Sequence, residues 1–322
     1  MKKYIFKWLS VVAPIFLGVF LIIYSYNQFT ESQINQIKSH FENANYYIVL
    51  CAGLIALIGN MARAYRWKYM LEHLGYQSTF ANNFMAVNIG YLLNLTVPKS
   101  GEISRALIVK KYNNIPFDKG FGTIVAERII DLFCLLFIML VAVMLQFEIV
   151  KKFILNKIPL KNLVVFITIF VFSFIIFMLI YKFSQLKIVK IFKEKISGLK
   201  EGLLSIIHLN RKWKYFFFTI VIWGSYLIMF YVTIFVIPET SNLTLGAVIT
   251  SFVVGSIAIA FTNSGFGSYP FLISKVLLLY SITETAGNAF GWIIWTSQML
   301  LVLILGLASF VMLPLLNSKK QQ

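Results

Sequence analysis

Charge is what this sequence has least of. Only 13% of its 322 residues are Asp, Glu, Lys or Arg, against roughly 25% in an ordinary soluble domain. A water-soluble fold of this length needs a polar skin that so few charges cannot make, so soluble enzymes are excluded. Disorder is excluded too, because 59% of the residues are hydrophobic. Cysteine is almost missing. Cys51 and Cys134 lie in apolar stretches without C-x-x-C spacing, which points to neither a disulfide nor a metal. His40, His73 and His208 are too dispersed to form a ligand set. No G-x-x-x-x-G-K-[ST] loop occurs, so no ATP-driven step is encoded. No cofactor or metal is expected.

What is present is apolar length. Residues 8–30, 43–62, 162–181 and 215–238 hold 23, 20, 20 and 24 positions without a formal charge. Two longer runs, 240–274 and 285–318, hold 35 and 34. Each meets the ~20 residues a helix needs to cross a ~30 Å hydrocarbon core. The expected fold class is therefore an all-α polytopic membrane protein, one integral domain over 1–322.

The net charge of +17 is mostly topological and does not indicate nucleic acid. Between 182 and 214 nine basic residues face Glu194 and Glu201, a local +7 that marks a cytoplasmic loop. Lys2, Lys3 and Lys7 place the N-terminus on that side, and Lys319 and Lys320 do so for the C-terminus. The N-terminus looks like a signal peptide but lacks a small-residue cleavage site, so a retained first span is expected. The expected path has about eight spans, near 9–26, 46–66, 120–147, 163–182, 215–237, 245–261, 266–281 and 287–316, the seventh broken. One loop, 148–161, should be external yet carries Lys151, Lys152, Lys157 and Lys161. Within the basic loop Val189, Phe192, Ile196, Leu199, Leu203 and Ile206 repeat at helical spacing. That fits a helix on anionic headgroups or one packed on the protein's own face. A prokaryotic cytoplasmic membrane is the expected location.

Residues 73–98 carry no formal charge, yet Ser78, Thr79, Asn82, Asn83, Asn88, Asn94 and Thr96 make them polar for a span. A re-entrant hairpin over about 80–112 fits better, turning at Pro98-Lys99-Ser100-Gly101. Non-helical backbone at depth is tolerated only where protein or a polar cavity satisfies it, so the hairpin implies a cavity.

Four motifs carry chemistry. Arg63 and Arg66, in R-x-x-R-W-K at the inner end of the second span, read either as an anion site or as a positive-inside anchor beside Trp67. Lys99, Gly101 and Arg105 mark the hairpin break, where a restarting helix offers unpaired N–H groups and cations to a phosphate. The alternative there is a capped cytoplasmic loop. Glu127 and Asp131 share a face of the third span, with Arg128 offset by about 100°. Leaving them in lipid would cost roughly 2.5–3.5 kcal/mol each. They need partners, with Arg63, Arg66 and Arg105 the candidates and Glu102 nearby, in either a working site or a purely structural ionic network. Fourth, Ser264, Gly265 and Gly267 interrupt the chain at about 262–270. The pattern Ser264-x-x-Gly267 echoes Pro98-x-x-Gly101, a weak sign of an internal repeat with a midplane site.

The order of R-x-x-R-W-K, P-x-x-G-E-x-x-R-A-L, E-R-x-x-D and a late Gly-rich break resembles the lysylphosphatidylglycerol synthase transmembrane, flippase-like family, from about Tyr46 onward. The resemblance implies about eight spans with re-entrant helices and a link to moving lipids between leaflets. It carries Arg63, Arg66, Pro98, Gly101, Glu102, Arg105, Glu127, Arg128 and Asp131. The chain departs at Lys99, where many members have Gly, and at Ser264, where many have Pro. Tyr269-Pro270 follows the late break where Glu is common, and the last span lacks an Arg. With about six residues after that span, the family's soluble aminoacyl-transfer domain is not expected here. The expected function is translocation of an anionic phospholipid or polyprenyl-phosphate lipid, by a non-enzyme whose partners are the headgroup and the bilayer, homo-oligomers being allowed. The alternatives are a scaffold for envelope biosynthesis or, with His73 the only histidine near the motifs, a headgroup-modifying enzyme.

Overall fold

The computed structural model describes residues 2–148, 151, a scatter of positions between 165 and 180, 209, and 211–318, with side chains from residue 15. Most of the expected crossing at 163–182, the amphipathic stretch at 189–206, nearly all of the basic loop at 148–161, and Lys319 and Lys320 lie outside these residues. Every regular element described is helical, and the chain is an all-α polytopic membrane protein.

Among the described residues ten α-helices follow in order: α1 Lys2–Gln28, α2 Glu31–Glu42, α3 Tyr46–His73, α4 Phe80–Thr96, α5 Ser100–Asn113, α6 Phe117–Leu145, α7 Lys212–Thr233, α8 Leu245–Phe261, α9 Ser268–Leu278 and α10 Glu284–Asn317. Their starts are written locally. Thr79, Thr244 and Thr283 each accept the N–H three residues on, satisfying a backbone donor that the first turn leaves orphaned. Thr30 and Gln33 form a capping box on α2.

Four segments among the described residues are long and apolar enough to cross a membrane: α3, α6, α10, and α7 with its following turn to Val236. The other core helices are short. At 1.5 Å per residue, α4 and α8 (17 residues each) reach about 26 Å, α5 (14) about 21 Å and α9 (11) about 17 Å. They pair as two hairpins, α4 with α5 and α8 with α9. The segments expected as a sixth span and a broken seventh are thus the two arms of a second hairpin.

The long helices α3 and α7 pack antiparallel. Glu72 meets Arg211, Arg66 meets Thr219, and Gly59 meets Ser225. At the far end the Asn45 N–H donates to the Val236 carbonyl at 2.8 Å. The first hairpin starts beside the His73 end of this pair and the second beside the Val236 end, so the hairpins enter from opposite ends. Each then crosses over: α4 packs on α10, and α8 on α6.

These relations amount to a twofold repeat, α3–α6 against α7–α10, with a register the chain keeps. Thr79 and Thr244, Gly90 and Gly255, and Lys99 and Ser264 are each 165 positions apart. Lys99 and Ser264 share a left-handed backbone, φ 63° and 54°. The sequence echo, which set Pro98 against Ser264, is one position out of this register. Gly90 faces Gly101 across the first hairpin, and a Cβ at Gly101 would lie 2.1 Å from the Gly90 carbonyl oxygen. Gly255 faces Tyr269 across the second, where its Cβ would lie 2.6 Å from the ring. Both turns need glycine because their arms touch backbone to neighbour.

Candidate functional site

At the site, α3 runs on through the R-x-x-R-W-K motif to His73. Arg63 and Arg66 therefore sit inside a helix at 3% and 0% exposure, not at its membrane-surface end. The anchor reading fails for both, because their charges are paired within the protein; only Lys68, a third exposed, keeps it.

Two carboxylates on α6 organise the arginines. Asp131 accepts from Arg63 Nη1 at 2.7 Å and lies 2.9 Å from Arg66 Nη1. Glu127, fully buried, accepts from Arg105 Nη2 at 2.9 Å and lies 3.7 Å from Arg66 Nε. The four-residue spacing puts both carboxylates on one face of α6, and α3 and α5 bring arginines to it from two sides. Arg128 and Glu102, 40% and 22% exposed, pair at 3.3 Å along the rim.

Around this core stand residues that the charged motifs did not disclose. The Arg105 guanidinium stacks 4.2 Å from the Trp67 ring, whose Nε1 donates to Thr123 at 2.9 Å. A buried cation over indole is worth about 1–2 kcal/mol. From α7, Thr219 accepts from Arg66 Nη1 at 3.4 Å, and Tyr226 from Arg63 Nη2 at 3.3 Å. The Tyr215 ring lies 5.5 Å from Arg66. Trp67 could have been found as the i+4 neighbour of Arg63. The α7 contributors have no such signal, since a Thr in an apolar helix usually donates to its own backbone, as Thr219 does to the Tyr215 carbonyl, and a lone Tyr names no partner.

The charge does not cancel. Three buried arginines face two buried carboxylates, and the rim pair is neutral, leaving one formal positive charge. Donors are left over as well: Arg63 Nε, Arg66 Nε and Nη2, and Arg105 Nε and Nη1 are buried with no hydrogen-bond partner among the described residues. Unpaired buried N–H groups are costly, and an anion would satisfy them.

The hairpin break contributes less than its motif suggested. Lys99 is exposed at the turn and makes no ion pair among the described residues. The first N–H groups of α5 are taken: Ser100 donates to the Val97 carbonyl at 3.1 Å and Gly101 to Asn94 Oδ1 at 2.8 Å. Instead the break meets the second one. Asn263 Nδ2 donates to the Leu95 carbonyl at 2.9 Å, and Trp295 Nε1 donates to the Ser264 carbonyl at 2.8 Å. Gly265 and Gly267, both at positive φ, shape that turn and bear no charge into the ionic cluster. No cluster of metal-ligating side chains occurs among the described residues.

Comparison with known proteins gives three findings. A family model described as the lysylphosphatidylglycerol synthase TM region matches residues 10–312. A UPF0104 membrane protein of Methanocaldococcus jannaschii is 32% identical over 128 residues, 38% of each chain. The glycosyltransferase AglD of Haloferax volcanii is 30% identical over 99 residues, 30% of this chain and 16% of that protein. The alignments thus span well under two thirds of either relative. No solved structure matches.

Proposed function

The chain belongs to the family of the lysylphosphatidylglycerol synthase TM region, and from that premise we propose that it binds the phosphate headgroup of an anionic lipid and moves it between leaflets. A membrane, lipid-related role follows from the family. The finer reading is carried by one observation: three buried arginines face only two buried carboxylates, and five of the arginine nitrogens make no hydrogen bond among the described residues. A phosphate in that place accepts from Arg66 and Arg105 and cancels the surplus charge. Glu127 and Asp131 keep the guanidinium groups aimed while the site is empty. The two hairpins, entering from opposite ends and touching at their tips, supply a barrier that can yield on either side.

The lipid is a phospholipid or a polyprenyl phosphate, the protein acts as a transporter and not as an enzyme, and movement is downhill or ion-coupled. It sits in a prokaryotic cytoplasmic membrane with both termini inside, following the Lys/Arg distribution. A second reading, a partner protein in lipid-linked envelope assembly, is favoured by the name of the Haloferax volcanii relative, a glycosyltransferase.

Mass spectrometry of lipids co-purifying with the protein and with Arg105→Gln tests the first reading. Enrichment of one anionic lipid, lost in a variant that still inserts, is the expected result. That lipid then enters a flipping assay in proteoliposomes. Bulk-membrane lipid in both samples, with normal growth on the variant, would leave the partner reading standing.

A further inference from the structure

Away from the ionic cluster, a polar cavity of about 450 Å³ opens at the His73 end of α3. Lys68, Tyr69, Glu72, His73 and Tyr76 line it from α3 and the loop after it, and Arg211 from the start of α7. Its size suits a small headgroup or metabolite. Glu72 tethers both cations, with Lys68 Nζ at 3.7 Å and Arg211 Nη1 at 3.1 Å. One carboxylate between two cations leaves a net positive charge, and Glu72 is the only ion-pair partner of either cation among the described residues. Lys214 adds another cation 5.9 Å from the Tyr69 ring. The Nδ1 atom of His73 is shielded and has no hydrogen-bond partner among the described residues.

These cations are not used up in ending α3. Its last carbonyls already accept backbone N–H groups: Glu72 from Gly75 at 3.0 Å and Leu71 from Tyr76 at 3.0 Å. The cavity also lines up with the buried cluster. Tyr69 and His73 lie three and seven positions below Arg66 on one face of α3. On α7, Arg211, Tyr215 and Thr219 repeat every four residues, the first in the cavity and the other two against Arg66.

We propose that this cavity is a second anion site, taking the phosphate of a lipid headgroup or of a soluble phosphate ester between Lys68 and Arg211. The polar ladder of α3 and α7 makes it the outer station of the buried cluster, a role that rests on the translocation reading; anion binding itself does not.

The test is calorimetric titration of the full chain in phosphatidylcholine nanodiscs with sn-glycerol 3-phosphate, and in parallel with phosphatidylglycerol added to the discs. Saturable binding of the soluble ester identifies a free-phosphate ligand, and binding of the lipid alone identifies a headgroup. In either arm Lys68→Gln with Arg211→Gln is expected to weaken binding at least about tenfold. Glu72→Gln should strengthen it, because it releases both cations and removes the negative charge between them; loss of a merely structural ion pair would not. Lys99→Gly should leave it unchanged, since Lys99 is exposed at the hairpin turn and lies in neither site; the soluble-ester arm does not pass through the buried cluster, so failure of that cluster reads separately. Thermal melting checks that each variant folds. Absence of saturable binding in both arms, or equal affinity in the Lys68/Arg211 double variant, overturns the proposal.

Discussion

The side-chain amide of Asn263 donates to the main-chain carbonyl of Leu95 across 168 positions of sequence. That bond joins the end of α4 to the turn between α8 and α9, so the two helix breaks of the chain are in direct contact. Each break leaves carbonyls that its own helix no longer uses, and in an apolar surrounding these need a partner. The second hairpin supplies the donor that the first lacks, and Trp295 of α10 supplies one to the Ser264 carbonyl of the second.

Replacing Asn263 with Ala removes this donor and strands the Leu95 carbonyl. A destabilisation of about 1–3 kcal/mol is expected, read as a lower melting temperature of the purified protein. If transport passes through separation of the tips, the same variant moves lipid faster at low temperature. An unchanged melting temperature would mean the tips do not hold each other.

The first turn separates backbone strain from charge. Lys99 holds a left-handed conformation that costs an L-residue about 1–2 kcal/mol. Lys99→Gly should therefore raise thermal stability and leave lipid enrichment intact, since Lys99 stands clear of the ionic cluster. Gly101→Ala should do the reverse and lower the yield of folded protein, because the new methyl group meets the Gly90 carbonyl.

Arg105 and Glu127 test whether the buried pair acts as a unit. Glu127→Gln leaves Arg105 without its carboxylate and should cost about 3–5 kcal/mol, whereas Arg105→Gln removes the surplus charge, leaves Glu127 beside Arg66 and should cost about 1–3 kcal/mol for the lost hydrogen bond. The double variant should cost clearly less than the two together, measured by thermal unfolding of all four proteins. Lipid enrichment should stay absent in the double variant, because the geometry returns without the donor. Additive losses would show that the two side chains do not share one interaction.

Opposite insertion of the hairpins predicts a labelling pattern. In a background with Cys51→Ser and Cys134→Ser, a cysteine replacing the exposed Gln77 should react with an impermeant maleimide from one side only. One replacing the exposed Asn242 should react only from the other side. Labelling of both from the same side would contradict the repeat.

Much of this was legible in the sequence, for identifiable reasons. Burying a charge in an apolar medium is so costly that Glu127 and Asp131 had to have cationic partners, and the few arginines in nearby apolar segments narrowed the choice. Pro98 announced a turn because it cannot continue a helix, and Thr79 and Asn94 announced that the segment before it was too polar to be a plain span. Apolar length marked α3, α7 and α10, and the Lys/Arg path added α6.

Tertiary structure decided the rest. Only it assigned Arg63 and Arg66 to Asp131, gave Arg105 to Glu127, and left Lys99 outside the cluster. Only it folded 245–278 into a second hairpin and brought Asn263 to Leu95. The physical reason is range. Caps, breaks and charge costs act within a few residues or on a single group, so they leave a local pattern. Thr219 reaches Arg66 over 153 positions and Tyr226 reaches Arg63 over 163. Such contacts depend on how α3 and α7 pack, and no property of either helix alone encodes them.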